Sequence, residues 1–121
     1  MCILIIDDTP MIISALSRIL LPHYKVKVAR DGEEGLKLVE RFPISVILLD
    51  VNMPGISGFE VLEKLQSSEK TKSIPVIILT ASDEKEDMKQ AFSLGAVDYI
   101  KKPFTEEDVL RRVKLAKENV T

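Results

Sequence analysis

Residues 45–65 read SVILLDVNMPGISGFEVLEKL, and the order of parts in this stretch decides the fold. Ser45–Leu49 is a short apolar run with β-branched residues, so it reads as a strand. The run is almost continuously apolar instead of alternating. That suits a strand covered on both faces, and sheets covered on both faces are parallel as a rule. Asp50 ends the run, and Asn52–Gly58 is rich in turn formers. Ser57 and Glu60 then stand at capping-box spacing. Phe59, Leu62 and Leu65 follow at the spacing of one helix face. A strand, a polar strand end, a turn and a capped helix make one βα unit.

The same unit recurs on both sides of this stretch. Cys2–Ile6 (CILII), Tyr24–Ala29, Pro75–Leu79 (VIIL within it) and Val97–Lys101 read as four further strands. Thr9 can cap a helix with Pro10 in its first position. Asp31 with Glu34, and Asp83 with Glu86, repeat the capping spacing. Thr105 precedes Glu106, Glu107 and Asp108, acids placed where a helix dipole favours them, and Val109, Val113 and Ala116 continue at helical spacing. Gly95 stops the fourth helix. Five strand–helix units in succession predict an α/β fold: a doubly wound, five-stranded parallel sheet with helices on both faces, (βα)5.

Size and charge narrow the function. A chain of 121 residues suits a single domain, here 1–121. Lys and Arg number 17 against 19 Asp and Glu, and this near balance lacks the basic footprint of nucleic-acid binding. The single cysteine, Cys2, cannot form an internal disulfide, and the single histidine, His23, cannot build a His-rich metal site. Both read as structural. No apolar run approaches the ~18 residues of a membrane span, and Met1–Ile6 ends too soon at Asp7 and Asp8 to be a signal peptide. The expected setting is cytoplasmic and reducing. Asn119-Val120-Thr121 matches a glycosylation acceptor only by chance in that setting.

The polar residues fall at strand ends. Asp7 and Asp8 follow the first strand, Asp50 and Asn52 the third, Thr80 the fourth, and Lys101 and Lys102 the fifth. In doubly wound sheets ligands bind outside the carboxyl ends of the strands, so these residues should meet at one rim. Converging carboxylates repel unless a cation intervenes. Oxygen donors of this type suit Mg²⁺, which retains waters and accepts phosphate oxygens. A hydroxyl and an ammonium across the rim are the partners a phosphoryl group needs. The combination points to phosphoryl transfer onto an aspartate.

Five segments in order carry a family resemblance: IIDD (Ile5–Asp8), ARDGEEGL (Ala29–Leu36), ILLDVNMPGISG (Ile47–Gly58), PVIILTA (Pro75–Ala81) and GAVDYIKKPF (Gly95–Phe104). The chain resembles the receiver domain of bacterial two-component response regulators from its first strand to its last helix. The resemblance implies a flavodoxin-like strand order, 2-1-3-4-5. It also implies a role for each matching position. Asp50 would be the phosphoacceptor. Asp8 would ligate Mg²⁺ directly and Asp7 through water, with Asp50 and the backbone carbonyl of Asn52 completing the set. Thr80 would be the switch hydroxyl, Tyr99 the aromatic switch, and Lys102 the site lysine, its peptide bond to Pro103 cis. Gly35 stands where alanine is common in the family, which should weaken its helix slightly. Ser82 and Asn52 lie where the family varies and dephosphorylation is tuned.

The resulting expectation is a phosphorelay switch, not an enzyme acting on an outside substrate. A histidine kinase or phosphotransfer protein would donate to Asp50, and the face made by the fourth helix, fifth strand and fifth helix would change. Residues 83–94, 97–101 and 105–120 would form that face, with dimerisation or a separate output partner both open. The chain either stands alone or belongs to a larger regulator. An aspartate-nucleophile phosphatase would need a second acid two residues after the nucleophile, where Asn52 stands. A flavin-binding flavodoxin would need a phosphate loop after the first strand. An interaction module that is never phosphorylated is the third alternative. For the donor, the first helix offers Met11, Ile12 and Ala15 as a docking patch, beside a core stripe of Ile13, Leu16 and Leu20.

Overall fold

The structure, a computed structural model, describes residues 1–53, 55–81 and 85–118. Strands and helices alternate along the whole chain: β1 (Cys2–Ile6), α1 (Pro10–Leu20), β2 (Lys25–Ala29), α2 (Gly32–Arg41), β3 (Val46–Asp50), α3 (Gly58–Ser67), β4 (Val76–Thr80), α4 (Lys85–Ser93), β5 (Asp98–Lys101) and α5 (Glu106–Glu118). All pairings are parallel, and the sheet order is β2-β1-β3-β4-β5. This is the doubly wound, flavodoxin-like arrangement.

The pleat explains why the inner strands are apolar throughout. Alternate residues point to opposite faces, and each face is covered. Ile3 and Ile5 of β1, Val46 and Leu48 of β3, and Ile77 and Leu79 of β4 pack with Leu16 and Leu20 of α1 and Val109 and Val113 of α5. Leu4, Ile6, Ile47, Leu49 and Ile78 face the other way, onto Val61, Leu62 and Leu65 of α3 and Ala91 of α4. Edge strand β2 lacks this double cover and alternates instead, with Lys25 and Lys27 exposed. Lysines on an edge also discourage pairing with another sheet.

Helix starts follow the capping signals in part. Asp31 accepts from the Glu34 amide at 2.8 Å, Ser57 Oγ from the Glu60 amide at 3.2 Å, and Thr105 Oγ1 from the Asp108 amide at 3.1 Å. Thr9 departs from expectation: it holds the N-cap position, but its side chain makes no cap bond. Its amide is instead drawn to Asp7 Oδ1, at 2.8 Å. The cap expected at Asp83 lies outside the described residues, as do Ser82 and 119–121. Gly95, at φ +108°, ends the turn after α4 in a conformation that favours glycine.

Two expectations about packing need correction. On α1 the side chains against the core are Leu16 and Leu20 with Ile12 and Ile19, while Ile13 is half-buried. Both stripes obey the 3.6-residue period, and only the docking angle chooses between them. The strand ends also shift by one residue. Tyr24, Ser45, Pro75 and Val97 precede their strands, whereas Asp50 and Thr80 are ladder residues, opposite Leu79 and Lys101. A polar side chain does not end a parallel ladder while its backbone still pairs.

Two glycines mark close approaches. A Cβ on Gly58 would lie 2.5 Å from both the Asp50 carbonyl oxygen and Val51 Cα, so α3 can start directly over the end of β3 only with glycine there. A Cβ on Gly35 would meet the Ile6 side chain, 2.4 Å from Cδ1 and 2.9 Å from Cγ1, rather than backbone. Gly35 therefore makes room for Ile6 as well as weakening its helix. Gly58→Ala should cost about 1–3 kcal/mol, because backbone must move. Gly35→Ala should change stability by less than about 1 kcal/mol, since helix propensity gained offsets a new Ile6 rotamer. Urea titration should give a lower midpoint for the first and a near-unchanged midpoint for the second.

Candidate functional site

The sheet brings the strand-end acids together. Ile6 of β1 pairs with Leu49 of β3, so the next residues, Asp7 and Asp50, stand side by side at the carboxyl rim. Asp7 is fully buried, Asp50 is 3% exposed, and Asp8 is half-buried. One carboxylate oxygen from each of the three lies within 4.8 Å of the others. This is also where strand order reverses: the chain leaves β1 outward to β2 and returns to β3 on the other side.

Each buried carboxylate is oriented by its own loop. The Thr9 amide donates to Asp7 Oδ1 at 2.8 Å, and the Asn52 amide donates to Asp50 Oδ1 at 3.0 Å. Both are two-residue side-chain turns of the kind aspartate forms readily. Asn52 itself is exposed. The opposite charge comes from Lys102, whose Nζ lies 3.4 Å from Asp7 Oδ2 and 3.9 Å from Asp50 Oδ1. Its amide donates to the Thr80 carbonyl at 2.7 Å, tying the loop after β5 to the end of β4. The Lys102–Pro103 peptide is cis. Thr80 is buried, 3% exposed, at the end of the strand next to β3.

Among the described residues, three carboxylates converge and Lys102 pairs with two of them, so these groups together carry an excess of negative charge. Burial pushes the Asp50 carboxyl above its ordinary value of 3.8, and Asp7 and Asp8 push it the same way. The Asn52 amide and Lys102 oppose the rise without cancelling it. A set of converging, largely dehydrated oxygen donors is chemically suited to a small hard cation. It also offers a carboxylate beside an ammonium, the arrangement an acyl-phosphate-forming site requires.

The other expected residues lie farther out. Tyr99 is half-buried on β5, against Phe92 of α4. Met11 on α1 is 81% exposed, Ala15 is half-buried, and Ile12 is half-buried against the core. One group near Tyr99 carries only a local signal in the sequence. Arg112 of α5 lies over the Tyr99 ring and pairs with Asp98 and Asp108. Its spacing of four from Asp108 was legible as a helical ion pair. Its meeting with β5 required the tertiary fold.

Comparison with known proteins agrees with this geometry. Residues 3–114 match the response regulator receiver domain family. Over 101 residues, 84% of this chain, it is 44% identical to a Vibrio cholerae protein named "Probable cyclic di-GMP phosphodiesterase", and it spans only 23% of that protein. It is 37% identical to the protein PilH of Pseudomonas aeruginosa, covering 92% of this chain and 93% of that one. The crystallised chemotaxis protein CheY4 of Vibrio cholerae superposes with a TM-score of 0.90 at 30% identity, over 95% of this chain and 97% of that one. No helix among the described residues is long and apolar enough to cross a membrane. With the fold, the acid cluster and the match over residues 3–114 in agreement, this chain belongs to the response regulator receiver domain family.

Proposed function

We propose that this chain is a phosphorelay switch that accepts a phosphoryl group on Asp50 from a phosphohistidine donor. One observation carries the reading: Asp7, Asp8 and Asp50 converge within 4.8 Å, with Lys102 Nζ 3.4 and 3.9 Å from two of them. A structural role alone does not require three acids to converge at one rim with an ammonium beside two of them. Asp7, Asp8, Asp50 and the Asn52 carbonyl would hold Mg²⁺, which supplies relief of carboxylate repulsion and a counter-charge for phosphoryl oxygens.

The residues divide the work. An Asp50 carboxylate oxygen attacks phosphorus, the O–P bond of an acyl phosphate forms, and the donor's N–P bond breaks, leaving the imidazole to take a proton. Lys102 pairs with the phosphoryl oxygens as it pairs with the carboxylates here. Thr80 donates to the same oxygens after its loop shifts, and Tyr99 follows, altering the surface of α4, β5 and α5. Asp50 regains its free carboxylate by hydrolysis, so the chain's own chemistry is self-phosphorylation and self-dephosphorylation. Met11 and Ala15, with Ile12 at their border, would form the docking patch for a helical donor such as a histidine kinase or phosphotransfer protein, because exposed apolar surface beside a reactive site favours docking.

Incubation with acetyl phosphate and Mg²⁺ should add one phosphoryl group, mapped to Asp50 by mass spectrometry, and Asp50→Asn should abolish it. Label elsewhere, or label retained in that variant, sinks the assignment.

The metal reading has a thermal signature. Mg²⁺ at tenfold above its Kd should stabilise the fold by about 1.4 kcal/mol, and Asp8→Asn should remove most of that gain. Without divalent cation, folding disfavours the ionised form of Asp50, because its carboxyl is raised in the folded state. That penalty is absent below the ordinary value of 3.8, grows as pH rises from there to the folded-state value, and is constant above it. Metal-free Asp50→Asn should therefore melt above wild type at pH 7, with the difference fading toward about pH 4. Thermal scans across pH check both points.

Charged replacements of Met11 and Ala15 should slow transfer from a phosphorylated histidine donor by tenfold or more, about 1.4 kcal/mol. Labelling by acetyl phosphate should stay within about twofold, on the order of 0.4 kcal/mol. Equal loss with both donors would mean that the substitutions damage the site and not a docking surface.

A further inference from the structure

Tyr99 has an aromatic or cationic neighbour on each flanking helix. Phe92 of α4 meets it edge-on, with ring centroids 6.2 Å apart at 80°. On the α5 side the Arg112 guanidinium carbon lies 5.3 Å from the ring centroid, within cation–π range. Two carboxylates fix that guanidinium. Asp108 accepts from Arg112 Nε at 3.0 and 3.1 Å, one turn back on the same helix. Asp98 of β5 accepts from Nη1. Asp98 Oδ1 also accepts from the Tyr99 amide at 2.8 Å, so one oxygen ties both the arginine and the tyrosine backbone. Arg112 thus lacks the rotamer freedom that makes most surface cations weak partners.

The ring has somewhere else to go only if its surroundings move. A recess of about 10 Å³ lies among Tyr99, Phe59, Ile78, Thr80 and Ala91. That is room for about one water, far too little for a phenol. The ring borders the recess and does not fill it. Entry requires Thr80 or α4 to shift and the contact with Arg112 to be given up.

We infer that Arg112 is a positioning residue for Tyr99: anchored by Asp98 and Asp108, it holds the ring in its present place and so raises the threshold for the switch. The inference rests on the switch reading proposed above and adds a residue that sets its balance. A partly exposed cation–π contact biases a two-state equilibrium about two- to fivefold.

The chain has only two tyrosines, Tyr24 and Tyr99, so Tyr24→Phe leaves one ring to follow by NMR with ¹³C-labelled tyrosine. In that background Arg112→Ala should shift the Tyr99 ring signals of the resting protein. It should also lower the beryllofluoride concentration needed for half-saturation in Mg²⁺ by about two- to fivefold. Arg112→Lys, which keeps the charge without the planar fork, should recover part of both effects. Arg112→Gln tests the same point should the alanine variant not fold. Ring signals unchanged in these variants, or beryllofluoride affinity unchanged or weakened, overturn the role of Arg112, even where melting temperature falls. If beryllofluoride leaves the wild-type Tyr99 signals untouched while binding, the switch reading itself fails. A ring that moves in wild type and saturates at the same concentration in Arg112→Ala overturns only the positioning role.

Discussion

Asp7 and Asp50 are withdrawn almost completely from water on adjacent strands. An uncompensated buried carboxylate costs on the order of several kcal/mol, so the surrounding structure is arranged around two such costs. Thr9 and Asn52 each turn a backbone amide back onto the acid two residues earlier. Lys102 is brought from the far end of the chain to face both. The compensation is incomplete, as the raised Asp50 carboxyl records. Such a cluster has electrostatic energy to release when positive charge or hydrogen-bond donors arrive, which is the physical basis of a ligand-responsive site.

The fold holds these groups in register by means unrelated to charge. Parallel pairing of β1 with β3 puts Asp7 beside Asp50. Pairing of β4 with β5 carries Thr80 and the Lys102 loop to the same rim. Apolar side chains fill both faces of the three central strands, so slipping one strand by a residue would turn a whole row toward the wrong layer. Gly58 extends this control past the strand, since α3 begins in contact with the Asp50 and Val51 backbone. Asp50 is therefore held from below by the ladder and from above by a helix start.

The β5 side is built differently. Around Tyr99 an aromatic edge, a guanidinium and shared carboxylates add to the ring's packing on the apolar layer below it. Each of these contacts is partly exposed, and it is their coupling through Asp98 and Asp108 that fixes the guanidinium against the ring. The acid cluster at the ends of β1 and β3 and the ring on β5 are thus held by different kinds of contact.

Much of this was legible in the chain itself. Continuous apolar runs of about five residues closed by Asp7, Asp50 and Thr80 dictated buried parallel strands with polar ends, because only a doubly covered sheet buries both faces. The convergence of acids followed from that fold, since a parallel sheet puts all its strand ends at one rim. The face of α1 was not legible. Ile12 and Ile13 both satisfy helical periodicity, and the angle at which the helix lands on the sheet decides between them. Nor was the choice of the Asp7 carboxylate over the Thr9 hydroxyl in ordering the start of α1, which depends on where the buried acid already points. Gly35 reads locally as a helix weakness, and only the packing shows Ile6 in the space its missing Cβ leaves. Arg112 reaches Asp98 across fourteen residues and two elements. Local pattern determines which elements form and, to within a residue, where their ends lie; contacts between elements remote in sequence arise only when the packing angles are set, and packing angles depend on all the side chains at once.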